Sequence, residues 1–358
     1  MRIISELVLS LGDDEYLSES LRFLRESLEE IKGGQVSLRT FDPSMDKFLN
    51  DEETIKGDEL IKETTLTLGK IDVPRRLELP EGSPRTIYAI DTSSLVIGEC
   101  NRGVVFAIRG VILRYDPISQ SRLIVKKLES PCYVSNENRK FLYNSLRRNL
   151  LGLKEVRKAP DPIKMVDRIR NIYERYLQLE ASSKFADSIL LFDGSLTGGT
   201  IDTPISLLRR ILNSASSMGS DVVAFSKKTR LVTRWGERVI DLLAGVSEYP
   251  AIVPLKGLIS SGKNRKFLGE VYVAKLSRMP ISFRIDVYSK RGDSKVLADL
   301  LSSVYLESGY PKPLIEAHVH SYFNSFDCLA YQALLAKKGV VLRHEVDVRR
   351  ILFGVYGG

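Results

Sequence analysis

Two short apolar runs, each ending in an acid and a loop of small residues, constrain this chain more than anything else in it. Residues 87–90 lead into Asp91-Thr92-Ser93-Ser94, and residues 189–192 lead into Asp193-Gly194-Ser195-Leu196. Runs this short and apolar read as strands covered on both faces, as in the middle of an α/β sheet. An acid at the carboxyl end of such a strand lies where α/β proteins bind ligands. Gly194 admits the close backbone approach or positive φ that such a turn needs. Asp91 before Thr-Ser-Ser can equally cap a turn through its own side chain. If the two strands are neighbours, their carboxylates come close together.

The surrounding segments give the order. Residues 104–115 and 122–128 read as two more strands, joined to the first by short connections and so forming an antiparallel meander. Helical patterns over 137–151 and 163–185 precede the 189–192 strand. A helix over 205–218, a strand over 222–225 and a helix over 237–243 follow. Three antiparallel strands, then alternating helices and strands, is the order of the ribonuclease H-like fold. That fold is α/β, with a mixed central sheet flanked by helices. Later strands are expected at 271–276 and 281–287, and later helices at 294–306 and 325–337.

Ahead of this core, Leu17, Leu21, Leu24, Leu28 and Ile31 form a narrow helical stripe, stopped by Gly33-Gly34. The stripe either packs on its own domain or makes a dimer contact. Residues 51–76 read as a polar connector with a weak helix. The expected division is a helical N-terminal region over 1–80 and a main domain over 81–358 that ends in a C-terminal extension.

The chain has 358 residues, enough for a sizeable core without disulfide staples. Its three cysteines, Cys100, Cys132 and Cys328, are widely spaced and odd in number. They suit a reducing cytosol and exclude a paired-cysteine zinc site. With no signal peptide and no apolar run of membrane-spanning length, a cytoplasmic location and no membrane partner are expected. A net charge of +8 makes a polyanionic partner plausible.

Two adjacent carboxylates repel unless a cation lies between them. Magnesium and manganese favour such hard oxygen ligands and keep open positions for water and phosphate. They activate water and stabilise both oxygens of a phosphodiester displacement. A third acid is usually needed, and Glu174 and Glu180 on the preceding helix are the candidates. Glu180 shares a face with Tyr173 and Tyr176, whereas Glu174 lies off that stripe. Lys227 or Lys228, after the 222–225 strand, can stabilise charge on a phosphate. Asp286 interrupts an apolar strand, either as a metal ligand or as the ion-pair partner of Arg284. His318 can ligate a metal or give a proton to the leaving oxygen; His320 and His344 have weaker claims. Arg147, Arg148, Lys263, Arg265 and Lys266 are candidate contacts to a polyanion such as a nucleic acid, or else part of a solvated charged face. No phosphate-binding P-loop signature is present.

The order and wording of these segments resemble the NurA family of DNA repair nucleases. The matching pieces are Tyr88-Ala89-Ile90-Asp91, Leu190-Leu191-Phe192-Asp193-Gly194-Ser195-Leu196 and Ser226-Lys227-Lys228-Thr229-Arg230-Leu231. They continue through Lys275-Leu276-Ser277, Phe283-Arg284-Ile285-Asp286, Gly309-Tyr310-Pro311 and Glu316-Ala317-His318. The resemblance implies manganese-dependent cleavage of DNA, 5′-to-3′ exonucleolytic, with endonuclease action on single strands. It also implies a homodimer that works with a hexameric HerA translocase in end resection. By it, Asp91, Asp193, Glu174 and Asp286 are metal-site acids, and Lys227 and His318 join them in catalysis. Thr92 stands where the family more commonly has Gly.

Two other readings use the same residues. Actin-like phosphotransferases share the fold and cradle phosphates with Asp-x-Gly-Ser loops like Asp193-Gly194-Ser195, but Asp91-Thr92-Ser93 lacks the first-loop glycine. A catalytically inactive DNA-binding adaptor would keep the basic surface and salt-sensitive binding. The basic, then apolar, residues 349–356 either dock on a partner or pack on their own subunit.

Overall fold

A computed structural model describes residues 15–38, 65–66, 76–227, 229, 231–233, 238–243, 246–256 and 266–344. Most of the 51–76 connector, Lys228, residues 257–265 of the basic-loop region and the 349–356 tail lie outside the described residues.

The helix expected near the N-terminus is α1 (Glu15–Glu26), continued as a 3-10 turn over Ser27–Ile31. Gly33 follows with φ +74°. Leu21, Leu24, Leu28 and Ile31 are buried, so these four residues of the stripe pack within the subunit. Leu21 and Leu24 share one cluster with Phe106 and Tyr173 of the main core. The next segment, β1 (Gln35–Leu38), is a strand of the central sheet that the sequence pattern does not announce.

Three long strands follow: β2 (Ile87–Cys100), β3 (Gly103–Asp116) and β4 (Ser121–Ser135). They form the expected antiparallel meander. The strand ending at Asp91 is a corrected expectation. β2 runs on through Thr92 to Cys100, pairing with β3 from Ile87↔Tyr115 to Cys100↔Gly103 across one bulge. Asp91-Thr92-Ser93-Ser94 is therefore strand, because a full-length partner supplies its hydrogen bonds.

After α2 (Arg139–Leu151) and α3 (Pro162–Lys184), strand β5 (Ile189–Asp193) lies parallel to β2. Helix α4 (Ile205–Ser217) leads to β6 (Asp221–Ser226), parallel to β5. The helix expected over 237–243 is described only as a 3-10 turn, Val239–Leu243. β7 (Ala251–Pro254), β8 (Glu270–Lys275) and β9 (Phe283–Tyr288) extend the sheet antiparallel beyond β6. Helices α5 (Asp293–Ser303), α6 (Lys312–Ser321) and α7 (Ser325–Lys337) and strand β10 (Val341–His344) complete the described chain. Helix α5 stops short of the expected residue 306, because Leu306–Glu307 pairs with Tyr310–Pro311 as a small hairpin. The sequence pattern does not announce α6 either; Pro313 sits in its first turn, where a proline costs no helical hydrogen bond.

The ten-stranded sheet runs β7-β8-β9-β6-β5-β2-β1-β10, with β3 and β4 continuing from the other edge of β2. This is a mixed α/β architecture with the predicted ribonuclease H-like order at its centre. Alternation along β2 and β5 divides the core in two. Ile90, Leu190 and Phe192 pack with α1–α4. Ala89 and Leu191 pack with Leu297 of α5 and Leu314 of α6. Each fully buried leucine contributes roughly 1.5–3 kcal/mol relative to exposure. No described helix is long and apolar enough to cross a membrane.

The topology opens one gap. β5 pairs with β2 only as far as Phe192↔Ile90. β1 takes up the same side of β2 again at Gly98. Asp91 is the first residue of β2 past the end of that β5 pairing.

Candidate active site

Asp91 and Asp193 follow Ala89 and Leu191 by two positions, so both point to the face covered by α5 and α6. The Asp91 carboxylate is nearly buried. Its Oδ2 accepts a hydrogen bond from Ser321 Oγ and lies 3.3 Å from His318 Nδ1. Ser321 Oγ is also 3.0 Å from Ser93 Oγ on the same strand face as Asp91. The contact with Asp91 raises the His318 pKa above its ordinary value, and partial burial opposes that rise.

Asp193 ends β5, where Gly194 takes φ +111° and donates its N–H to the Phe225 carbonyl at 2.7 Å. That conformation turns the chain away from the sheet and leaves the carboxylate at the rim. Lys227 Nζ donates to Asp193 Oδ2 at 3.0 Å, and Tyr310 Oη donates to Oδ1 at 3.2 Å. Lys227 also sits over the Tyr310 ring, 5.2 Å from its centroid.

Glu174 arrives from the opposite side on α3. Helix α3 crosses the sheet closely at Gly110, where a Cβ would lie 2.6 Å from Leu177 Cδ1. Glu174 lies one turn before Leu177, and its side chain is 20 % exposed. Its Oε1 accepts from Gln178 Nε2 at 3.0 Å. Burial raises the Glu174 pKa above the usual carboxylate range. The negative charges of Asp91 and Asp193 add to that rise, while Arg175 and Arg170 oppose it. The charges of both aspartates thus reach Glu174 from across the sheet gap.

Glu180, the other helix acid, is held elsewhere. It pairs with Lys126 and accepts from Lys184 Nζ at 2.7 Å. Asp286 is likewise absent from the cluster. It is buried on β9, where Arg284 Nε and Nη2 each donate at 2.7 Å. The Leu196 N–H completes its shell at 2.8 Å. The Asp286 expectation is thus corrected from metal-site acid to structural ion pair, because its oxygens are taken up by fixed donors. Arg147 is corrected in the same way. It is buried against Tyr143 and donates to the Glu155 carbonyl, so it is no DNA contact.

Three neighbours were missed from sequence: Tyr310, Ser321 and Ser93. Ser93 lies two residues from Asp91 on a strand and Ser321 three from His318 on a helix, so periodicity could have found both. Tyr310 carried no signal beyond its place in Gly309-Tyr310-Pro311.

Among the described residues, no three His, Cys, Asp or Glu side chains form a group that could hold a metal ion as arranged. The donor set nevertheless fits a hard divalent cation in kind. It offers hard carboxylate oxygens from Asp91 and Asp193 at the sheet gap, with Glu174 on the facing helix. In the present arrangement Lys227, Tyr310, Ser321 and Gln178 occupy the carboxylate oxygens.

No curated protein matches the chain. Among solved structures, the NurA nuclease of Sulfolobus solfataricus is similar at 15 % identity, over 84 % of this chain and 97 % of that one, with a TM-score of 0.49. Endonuclease V of Bacillus subtilis is similar at 14 % identity, over 73 % and 88 %, with a TM-score of 0.38. The catalytic domain of human endonuclease V is similar at 13 % identity, over 82 % and 100 %, with a TM-score of 0.35. The assignment rests on none of these scores. The model of the NurA domain spans residues 85–321, most of the chain and every acid of the cluster, and by that match this protein belongs to the NurA family of nucleases.

Proposed function

We propose that the protein is a divalent-metal-dependent deoxyribonuclease that hydrolyses phosphodiester bonds, with manganese as its ion and magnesium as the alternative. The observation that supports this reading is that Asp91 and Asp193 share one sheet face where β5 parts from β2, with His318 on the first and Lys227 and Tyr310 on the second, and that both charges are felt by Glu174. Asp91, Glu174 and Asp193 would hold the ion, which supplies an activated water and charge stabilisation at the phosphate.

The chain's own residues account for the rest. Lys227 is part-exposed at the rim and presents a cation to a phosphate oxygen. His318 is 45 % exposed and keeps its proton more readily than a free imidazole, which suits it to protonate the leaving oxygen. Tyr310 and Ser321 orient the two aspartates by hydrogen bonding. Arg170 and Arg175 moderate the charge on Glu174.

The finer elements are supported by the motif resemblance. They are 5′-to-3′ exonuclease action on single- and double-stranded DNA, endonuclease action on single strands, and a homodimer. They extend to a HerA-type translocase as partner in end resection, in the cytoplasm.

The test is cleavage of 5′- and 3′-labelled single- and double-stranded DNA by wild type and Asp91→Asn, with and without manganese. Manganese-dependent loss of 5′ label by wild type alone is the expected result. Equal cleavage by both proteins would put the active site elsewhere. No cleavage by folded wild type under any divalent metal would favour a DNA-binding adaptor.

A further inference from the structure

We propose that Arg109 is a positioning residue for this site: its guanidinium fixes the bend between α6 and α7 and thereby holds Ser321 and His318 against Asp91. The inference rests on the proposed reading of the cluster and adds a residue that touches none of the reacting atoms.

Arg109 lies on β3 directly opposite Ser93 of β2, two residues along from Asp91. Its side chain therefore leaves the sheet on the same face as Asp91 and Ser93, beneath α6 and α7. It is 8 % exposed. Nε and Nη2 donate to Glu129 at 2.7 and 2.9 Å. Nη1 donates to the Tyr322 carbonyl at 2.7 Å and to Asp327 Oδ2 at 3.2 Å. Nη2 donates to Asp327 Oδ1 at 2.8 Å. These bonds use every N–H that a guanidinium offers. The Phe323 ring lies against its flat side, with the guanidinium carbon 4.3 Å from the ring centroid.

The partners are not scattered. Tyr322, Phe323 and Asn324 are the whole connection between α6 and α7, and two of them touch Arg109. Asp327 also closes the capping box that starts α7, accepting the Asn324 N–H at 2.9 Å. Ser321, whose hydroxyl binds Asp91, is the residue immediately before this connection. One guanidinium thus sets where α6 ends, and that end carries both side chains that contact Asp91.

Stability alone is a weak reason for such an arrangement. A cation between two largely buried carboxylates is costly to desolvate, and apolar residues of similar shape often serve as well. What the planar fork provides, and a lysine does not, is fixed direction to several acceptors at once.

The test uses the full chain and reads hydrogen exchange and cleavage together. In Arg109→Met, amide protection over residues 318–327 is expected to fall by at least about tenfold while β2, β5 and β6 keep theirs. kcat should fall with KM for DNA unchanged. In a His318→Ala/Ser321→Ala background the same substitution should cost almost nothing further, because the groups through which it acts are gone. Asp327→Asn loosens the bend without emptying the core and should give a weaker form of the same exchange pattern, so it serves if Arg109→Met does not fold. Unchanged exchange over 318–327 overturns the proposal. So does protection lost across the whole sheet with a fully additive cost in the double-variant background. If wild type cuts no DNA, the nuclease reading fails, while the exchange pattern still decides the role of Arg109.

Discussion

Asp286 and Asp193 lie two strands apart in one sheet, and their surroundings differ in a way that separates structure from function. Asp286 is sealed, with two guanidinium N–H groups and a backbone N–H fixed on its oxygens. Asp193 is part-exposed at a strand end, held by a lysine on a flexible stem and a tyrosine hydroxyl. Around Asp286 charge is matched one to one. Around Asp193, Asp91 and Glu174 no carboxylate has such a shell among the described residues: burial raises the Glu174 pKa, and the charges of both aspartates add to the rise while Arg175 and Arg170 oppose it. A buried acid with a fixed counter-ion belongs to the fold. A group of acids with too few fixed counter-ions invites a ligand.

The sharpest way to break this contrast is to remove one charge from each side. Asp286→Ala leaves Arg284 buried and unpaired and should cost about 3–5 kcal/mol of stability. Arg284→Met/Asp286→Leu should recover most of that loss in urea unfolding. If Asp286→Ala unfolds at the wild-type midpoint, the ion pair is not structural. On the other side, Tyr310→Phe removes the hydroxyl on Asp193 while keeping the ring packed on Phe225 and Phe283. It should lower the cleavage rate by about 10–100-fold, the usual cost of losing an outer partner of a metal-ligating acid, with little change in melting temperature. A wild-type rate would remove Tyr310 from the site.

The sequence made the centre of the sheet legible because its strands are apolar runs that no other element tolerates. Residues 189–192 and 222–225 could only be covered strands. Short strands such as β1 and β7 carry no such signature, and α6 was hidden by the prolines at its start. The site was half legible. Asp193 could be read from its strand end, but Asp91 lies inside a strand that runs on to Cys100, and Glu174 could not be told from Glu180 by periodicity. That choice depends on where α3 crosses the sheet, and the crossing depends on Gly110, a residue distant in sequence. Asp286 was misjudged for the opposite reason: its partner Arg284 was visible in sequence, but nothing there showed the Leu196 N–H closing its shell.

A third prediction concerns the energetic cost of burying Glu174. Glu174 has its folded-state pKa raised above its ordinary value of 4.5, chiefly by burial. Its ionised form therefore destabilises the fold at neutral pH, and the penalty disappears as pH falls through the raised value to below about 4.5. Glu174→Gln should stabilise the protein by about 1 kcal/mol at pH 7, and the gain should vanish near pH 4. Nuclease activity should fall in the same variant. A gain independent of pH would mean that the substituted amide packs better than the carboxylate, and the charge would not be the cause.

The smallest effect concerns His318, where the sign runs the other way. Its pKa is raised above 6.5 by the hydrogen bond to Asp91, against the cost of partial burial. The protonated ring therefore contributes stability that is fully present below pH 6.5 and is lost as pH rises through the raised value. Because the side chain is 45 % exposed, solvent screening limits that contribution to about 0.5 kcal/mol. His318→Ala should then cost more stability at pH 6 than at pH 9, and Asp91→Asn should erase that difference. The two substitutions share one interaction, so their pH-dependent parts cannot add. A pH dependence that survives Asp91→Asn would trace to another acid, with Asp193 next in line because its charge also raises the His318 pKa. In that case His318 belongs as much to the β5 side of the gap as to the β2 side, and the contrast with Asp286 widens: Asp91 and Asp193 would then share a partner, whereas Asp286 shares none of its own with either.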